Sequence, residues 1–358
     1  MEIINKEKWI RDLLTWYREN ARVLPWRSEP TPYRVWVSEI MLQQTRVEAV
    51  KPYFERFLSA VPDIPSLSVI DDDMLHKLWE GLGYYNRVRN MKKCAQVCVE
   101  KHKGKLPASY EELLKLPGIG EYTAGAVASI AFHEAVPAVD GNVLRVFSRL
   151  MVSEDDILEL KTKRKFQMII QDLMPKDHPD EFNQAVMEIG ALICVPNAAP
   201  RCNICPLAEH CHGYREGKAH YLPIKKAKAR RRIEKKTILI LIHKHKIAVR
   251  QRPKEGLLAS LYEFMAYEDH LTRNQIQEKL TQSGYVIDKM IKLTSAKHIF
   301  THLEWHMNGY LILCEDLGKC EDFTWVSVAE METKYAIPTA LKIYRDAAVQ
   351  WLKSEGDI

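Results

Sequence analysis

Between residue 5 and about residue 193, apolar residues recur at helical spacing and no alternating strand pattern persists. Asn5 suits the cap of a first helix that carries Trp9, Leu13, Leu14 and Tyr17 on one side. In VWVSEIMLQQTRV (35–47), Pro32 behind Thr31 marks a helix start, and the absence of a breaker predicts a helix running past Thr45. Further amphipathic segments are predicted near 46–60, 72–80, 84–102, 109–115, 121–132, 142–150, 162–174 and 180–193. The pattern then changes. TILILIHKHKIAV (237–249) reads as β-branched strands around a short turn, followed by strand-like LYEFMAY, a helix near 272–282, strands near 310–314 and 323–327, and a last helix from about 338. The chain is therefore expected to be multidomain: an all-α domain (1–214), a basic linker (215–236) and an α+β domain (237–358).

At 358 residues the chain is long enough for two cores. No apolar run approaches the roughly 20 residues of a membrane span, and MEIINKEKW lacks the basic-then-apolar character of a signal peptide. A soluble cytoplasmic protein is expected, nucleoid-associated if bacterial. The net charge of +5 is unevenly placed, because residues 215–236 hold ten Lys or Arg against Glu216 and Glu234. That tract suits a polyanion, and equally a solvated linker. Four of the eight cysteines fall in CVPNAAPRCNICPLAEHC (194–211), spaced C-x7-C-x2-C-x5-C. A disulfide framework does not suit an intracellular protein, so they read as metal ligands. One CxxC is fewer than structural zinc usually uses, and four thiolates in one loop suit an iron–sulfur cube at least as well. Zinc stays open, with His210 and His212 near enough in sequence to join it.

Three polar constellations carry possible chemistry. Glu39 lies among Val35, Trp36, Val37, Ile40, Met41 and Leu42, surroundings that disfavour its ionised form and raise its pKa, as a general acid requires; a rim position or an Arg partner is the plainer alternative. LPGIGEYTAGAV (116–127) joins two helices through Gly118-Ile119-Gly120, a turn that lets backbone N–H groups approach a phosphate or simply connects two helices. In AVDGNVLRVFSRL (138–150), Asp140 stands at a helix entrance, where N–H donors and the helix dipole favour its charge, opposite to Glu39; the commonest role there is a plain N-cap. Two carboxylates tuned apart suit cleavage of a glycosidic bond, one protonating the leaving group and the other stabilising the sugar cation.

LPGIGEYTAGAV, VDGNVLRV and the four-cysteine loop together resemble the helix-hairpin-helix DNA glycosylases with an iron–sulfur cluster. Within them PWR (25–27), SEIMLQQTRV, WEGLGYYNRVRN (79–90) and NQAVMEIGA (183–191) are similar to the MutY-type adenine glycosylases, and the likeness extends over essentially the whole chain. It implies a [4Fe-4S] cluster on Cys194, Cys202, Cys205 and Cys211. It implies Glu39 as the acid that protonates adenine N7, and Asp140, oriented by Asn142, as the carboxylate that stabilises or traps the sugar cation. Arg27, Leu42, Gln184 and Trp26 would line the pocket for a flipped adenine. Gln44, with Thr45 beside it, and Tyr84 would enter the duplex, Gly118 and Gly120 would grip its backbone, and Gln43 is the alternative to Gln44. Tyr122 occupies the hairpin position where endonuclease III-type enzymes carry a Schiff-base lysine, which implies hydrolysis without strong lyase activity.

The C-terminal region resembles a Nudix fold, but NQIQEKLTQSG (274–284) lacks the acidic cluster needed to hold a catalytic divalent metal. In the adenine glycosylases this domain recognises 8-oxoguanine through a Phe-Ser-His loop, matched here by Phe300-Thr301-His302; Thr301 keeps the hydroxyl and adds a methyl. The first cysteine interval is seven residues where the family usually has six, which a loop fixed only at its ends tolerates. The resemblance thus implies a monomeric enzyme acting on double-stranded DNA with A:8-oxoG or A:G mispairs. The rivals are an endonuclease III-like glycosylase/lyase on oxidised pyrimidines and a non-catalytic DNA-binding iron–sulfur protein.

Overall fold

The structure is a computed structural model that describes residues 5–196, 198–226, 230–316 and 322–355. Two compact units emerge, one of Met1–Val69 with Arg89–Lys228 and the other of Ile70–Val88 with Ala229–Ile358. Among the described residues no helix is long and apolar enough to cross a membrane.

In chain order the helices up to residue 215 are α1 (Lys6–Asn20), α2 (Pro32–Leu42), α3 (Val47–Ala60), α4 (Ile64–Val69), α5 (Asp72–Leu78), α6 (Asn86–Lys101), α7 (Tyr110–Leu113), α8 (Glu121–Phe132), α9 (Gly141–Leu150), α10 (Leu160–Leu173), α11 (Pro179–Leu192) and α12 (His212–Arg215). The first unit is all-α in its described residues. Its core gathers Trp9 and Leu13 of α1, Phe147 of α9, Phe166 of α10 and Phe182 of α11, with Trp9 tilted against Phe147 and Phe182 at 6.1 and 5.8 Å. Burying such a set is the main stabilising contribution, roughly 1.5–3 kcal/mol for each large apolar side chain.

Two details of this unit place the site. Thr31 caps α2 by accepting Arg34 N–H, with Pro32 in the first turn, and α2 buries Val35 through Met41 without a gap. The helix then stops at Leu42, short of the predicted run past Thr45, because Gln43 leaves the helical region and Gln44 is left-handed at φ 58°. Such a backbone at a non-glycine residue costs on the order of 1 kcal/mol and turns the chain sharply. On the opposite side, Gly190 lets α11 lie against α9, since a Cβ there would meet the Asn142 Cβ at 2.6 Å.

The second unit holds a mixed sheet of β1 (Arg232–His243), β2 (Lys246–Gln251), β3 (Tyr262–Glu263), β4 (Met265–Glu268), β5 (Val286–Ile299), β6 (Leu303–Asp316) and β7 (Thr324–Val326), with α13 (Arg273–Gln282), α14 (Val328–Thr333) and α15 (Lys342–Glu355). The order is β3-β2-β1-β6-β5, with β4 paired to β1 and β7 to β2; among the described residues only β1 and β6 run parallel. Lys244 and His245, both at positive φ, close the predicted β1–β2 hairpin. The sequence pattern misses β5 altogether and the first half of β6. An edge strand interrupted by Asp288, Lys289, Lys292 and Lys297 does not alternate cleanly, yet those charges are what keep an exposed edge from pairing further. The basic tract is not free throughout: Lys226 N–H reaches Asp156 at 3.3 Å, and Arg232 to Lys236 are already strand, while 227–229 lie outside the described residues.

Candidate active site

A cleft of about 600 Å³ opens between the end of α2, the start of α8, the start of α9 and α11, a size within the range of small-molecule sites. Trp26, Arg27, Glu39, Leu42, Gln44, Thr45, Tyr122, Asp140, Asn142 and Gln184 all line it, so residues scattered over some 160 positions converge. Glu39, on the buried α2, accepts a short hydrogen bond from the Tyr122 hydroxyl of α8 through Oε2. Burial pushes its carboxyl up to about 7, with the neighbouring Asp140 adding to the rise, while the Tyr122 hydrogen bond and Arg27 oppose it. The raised pKa expected from the sequence is present, and it lets this carboxyl carry a proton near neutrality. The Tyr122 hydroxyl is held well above its ordinary range by its own burial and by Glu39, so it stays a donor.

Asp140 caps α9: Oδ1 accepts Asn142 N–H at 2.9 Å and Val143 N–H at 2.8 Å, and Oδ2 accepts Asn142 Nδ2 at 2.6 Å. The direction of its pKa differs from the sequence expectation. Loss of water raises it from the ordinary value, and these donors together with Arg145 act against that rise without reversing it. Arg145, behind Asn142, is a residue that sequence reasoning missed. Its Nη2 donates to Asn142 Oδ1 at 2.8 Å and to Gly190 O at 2.6 Å, while Nε donates to Cys194 O at 2.8 Å. By occupying Asn142 Oδ1, it leaves the amide nitrogen to face Asp140.

Also missed is Glu188 of α11, on the cleft and almost wholly inaccessible, together with its partner Arg22. Arg22 Nε and Nη2 reach it at 2.6 and 2.9 Å, Arg22 N–H at 3.1 Å, and Arg27 Nη2 at 3.0 Å. Burial alone would raise this carboxyl, but the two guanidiniums outweigh it and hold it at about 2. Arg27 is thereby fixed, with Nη1 on Arg22 O at 3.1 Å and its guanidinium 5.7 Å from the Tyr17 ring. A clue was present in the sequence, a glutamate one helical turn beyond Gln184 in an apolar helix, but its partners lie more than 160 residues away. Gln184 itself donates to Asp180 O at 3.3 Å and lines the cleft, and Trp26 is buried edge-on against Phe54 at 5.4 Å.

Gln43 and Gln44 are separated by the turn. Gln43 Nε2 points inward to the Thr123 hydroxyl at 3.4 Å, and Gln44 is exposed at the cleft. The hairpin between α7 and α8 contains Gly118 at φ +75°, where a Cβ would strike Asn90, and Gly120, the uncapped N-cap of α8 with open space beside it. Neither glycine lines the cleft. Tyr84 belongs to the other unit, exposed and left-handed at φ 49°. Phe300, Thr301 and His302 form the turn of the β5–β6 hairpin. Phe300 N–H bonds Leu303 O at 2.9 Å, its ring packs edge-on against Trp305 and His298, and Thr301 and His302 are exposed.

Cys194, Cys202, Cys205 and Cys211 line one apolar pocket with Val146, Leu150 and Ile193, and Arg149 Nη1 lies 3.3 Å from Cys194 Sγ. Among the described residues no group of three or more His, Cys, Asp or Glu side chains is placed to hold a metal ion. Neither nearby histidine enters: His210 pairs with Asp12 at 3.3 Å and His212 with Arg215 at 2.9 Å. Four sulfurs spread around an apolar hollow beside a cation fit an anionic thiolate cluster of several metal atoms. Part of the long first interval, Asn197, lies outside the described residues.

With this geometry established, the relatives of the chain are informative. Residues 37–172 match the HhH-GPD superfamily of base excision DNA repair proteins, and residues 237–347 match the NUDIX domain. The adenine DNA glycosylase of Buchnera aphidicola subsp. Schizaphis graminum is 36% identical over 303 residues, 84% of this chain and 86% of that one. The adenine DNA glycosylase of Schizosaccharomyces pombe is 31% identical over 414 residues, 95% of this chain and 89% of that one. Among solved structures, a thermostable thymine-DNA glycosylase superimposes with a TM-score of 0.54 at 26% identity, covering 59% of this chain and 97% of that one. The fold and cleft are those of a base excision repair DNA glycosylase, with a Nudix-like α+β domain. The chain belongs to the adenine DNA glycosylases.

Proposed function

We propose that the protein hydrolyses the N-glycosidic bond of adenine mispaired with 8-oxoguanine, or with guanine, in double-stranded DNA. The observation that carries this reading is the Glu39–Tyr122 pair: a buried carboxyl held protonated near neutrality, on the same cleft as an N-capped Asp140. Tyr122 occupies Glu39 Oε2, so the proton is presented from the other oxygen to N7 of the flipped base. As the C1′–N9 bond breaks, its electron pair leaves with the base, which the proton neutralises. Asp140 faces the cationic sugar, and a water adds to C1′ and yields its proton to a carboxylate, leaving an abasic site. Arg27, Leu42, Trp26 and Gln184 form the adenine pocket. Asn142 holds Asp140 in place through its amide.

Gln44 and Tyr84, both exposed and left-handed, and Thr45 are assigned to the opened duplex, and the Gly118–Gly120 turn to backbone phosphates. The Phe300-Thr301-His302 turn is assigned to 8-oxoguanine. Cys194, Cys202, Cys205 and Cys211 are assigned to a [4Fe-4S] cluster, which would hold the loop after α11 and supply no step of the hydrolysis. Tyr122, committed to Glu39, offers no amine for a Schiff base, so strong lyase activity is not expected. The protein is assigned as a monomer in the cytoplasm.

Single-turnover cleavage of a duplex with A opposite 8-oxoguanine tests the reading. Wild type should release adenine and leave the strand intact until alkali is added. No release, or near wild-type release by Glu39→Gln, would sink it. A colourless protein containing zinc, instead of a brown one absorbing near roughly 400 nm, would sink the cluster assignment.

A further inference from the structure

Two cations of the cleft take no part in that chemistry. Lys163 of α10 and Lys225, at the start of the basic tract, both line the cleft and are both exposed. Three neighbouring lysines are neutralised locally: Lys161 pairs with Glu159 at 3.1 Å, Lys165 with Asp155 at 2.8 Å and Lys226 with Glu159 at 2.8 Å. Arg22 and Arg27 are committed to Glu188. Among the described residues, Lys163 and Lys225 have no carboxylate within ion-pair distance. Their closeness is built in, because Ile157 N–H donates to Ile224 O at 3.2 Å and Lys226 N–H to Asp156 Oδ2 at 3.3 Å, docking the tract beside the entry to α10.

We propose that Lys163 and Lys225 form a subsite for backbone phosphates of the DNA strand whose base enters the cleft. The proposal rests on the glycosylase reading and adds a grip separate from the glycine hairpin. Glu39, Asp140 and Glu188 place three carboxyls on this cleft. A polyanionic strand brought against them gains most from cations at the rim that no protein carboxylate has already claimed. Each phosphate neutralised releases condensed counterions, so such contacts show as a salt dependence of binding.

The test compares two double variants that remove the same two positive charges: Lys163→Ala/Lys225→Ala and Lys161→Ala/Lys226→Ala. Binding of the full-length chain to an A:8-oxoG duplex is followed by fluorescence anisotropy from roughly 50 to 200 mM salt, in a Glu39→Gln background that keeps the duplex whole. The cleft pair should flatten the slope of log K against log salt by about 1.8, and the control pair should leave it as it was. Equal slopes in the two variants would overturn the subsite. Lys163→Arg/Lys225→Arg should keep the slope, which separates loss of charge from loss of fold. Methylphosphonate replacement of single phosphates in the adenine strand should weaken wild type and leave the cleft pair indifferent. The opposite strand behaving so would overturn the strand assignment. Excision by the unmodified protein is measured in parallel: its failure with the slope difference intact would remove the adenine reading alone.

Discussion

The two long walls of the cleft carry one buried glutamate each, and the two behave in opposite ways. Glu39 on α2 is 6% exposed and its carboxyl is raised to about 7; Glu188 on α11 is 1% exposed and its carboxyl is held at about 2. Burial pushes both upward, so burial does not explain the difference. Partners do. Glu39 receives one neutral hydroxyl and faces another carboxylate, whereas Glu188 receives two guanidiniums. A neutral donor leaves room for a proton, and a pair of fixed cations does not. On the proposed reading the α2 wall gives up a proton during reaction, while the α11 wall keeps a constant charge that holds Arg27.

The largest effect that separates the walls is on excision. Glu39→Gln should lower the single-turnover rate about 10²–10⁴-fold, the range for a lost general acid, with Kd for the duplex little changed. The corresponding change on the other wall, Glu188→Ala, should act first on stability. It strands Arg22 and Arg27 without a counter-charge, and denaturant unfolding should show a loss of about 3–5 kcal/mol, reduced because Arg22 is partly exposed. If Glu188→Ala kept full stability and lost only rate, the division of labour between the walls would be wrong.

The pH behaviour sharpens the contrast. Glu39 works as an acid only when protonated, so excision should fall as pH rises through about 7, followed as the pH profile of the single-turnover rate. For stability the sign is the same. The folded pKa lies above the ordinary 4.5, so the stabilising contribution is full below about 4.5 and is lost as pH rises through about 7. Glu39→Gln should therefore melt higher than wild type at pH 8, by on the order of 1–3 kcal/mol, and lose that advantage toward pH 4. Glu188 has the opposite sign, because its depressed pKa supplies stability above about 4.5 that is lost as pH falls through about 2.

The smallest predicted effect concerns the hydroxyl itself. The Tyr122 hydrogen bond lowers the Glu39 pKa, so Tyr122→Phe should move the falling limb of the excision profile to higher pH, by about one unit. A profile that stayed in place would show that the hydroxyl does not set the proton.

Much of this arrangement was legible along the chain. The cap at Thr31, the unbroken apolar run around Glu39, the N-cap at Asp140 and the cysteine spacing are local patterns, and local rules read them. Reading fell short where distant residues decide the outcome. The end of α2 at Leu42 depends on a left-handed Gln44 that no propensity rule marks. Strand β5 is held by pairing with β6 along its length, and its own charged sequence argues against it. Arg145 is one of two arginines in α9, and only its contacts with Asn142 and Cys194 set it apart.

By itself, then, the sequence determined which side chains are available: an acid in an apolar helix, a capped aspartate, a tyrosine just after a glycine hairpin, and four thiols in one loop. Only the tertiary structure decided their protonation. Asp140 shows why. Read locally, its N–H donors favour the charge and hold the pKa down; in place, loss of water outweighs them and the pKa rises. Desolvation and the sign of the nearest charge are sums over neighbours from every element packed around a group, and a linear sequence names those neighbours without saying which of them meet.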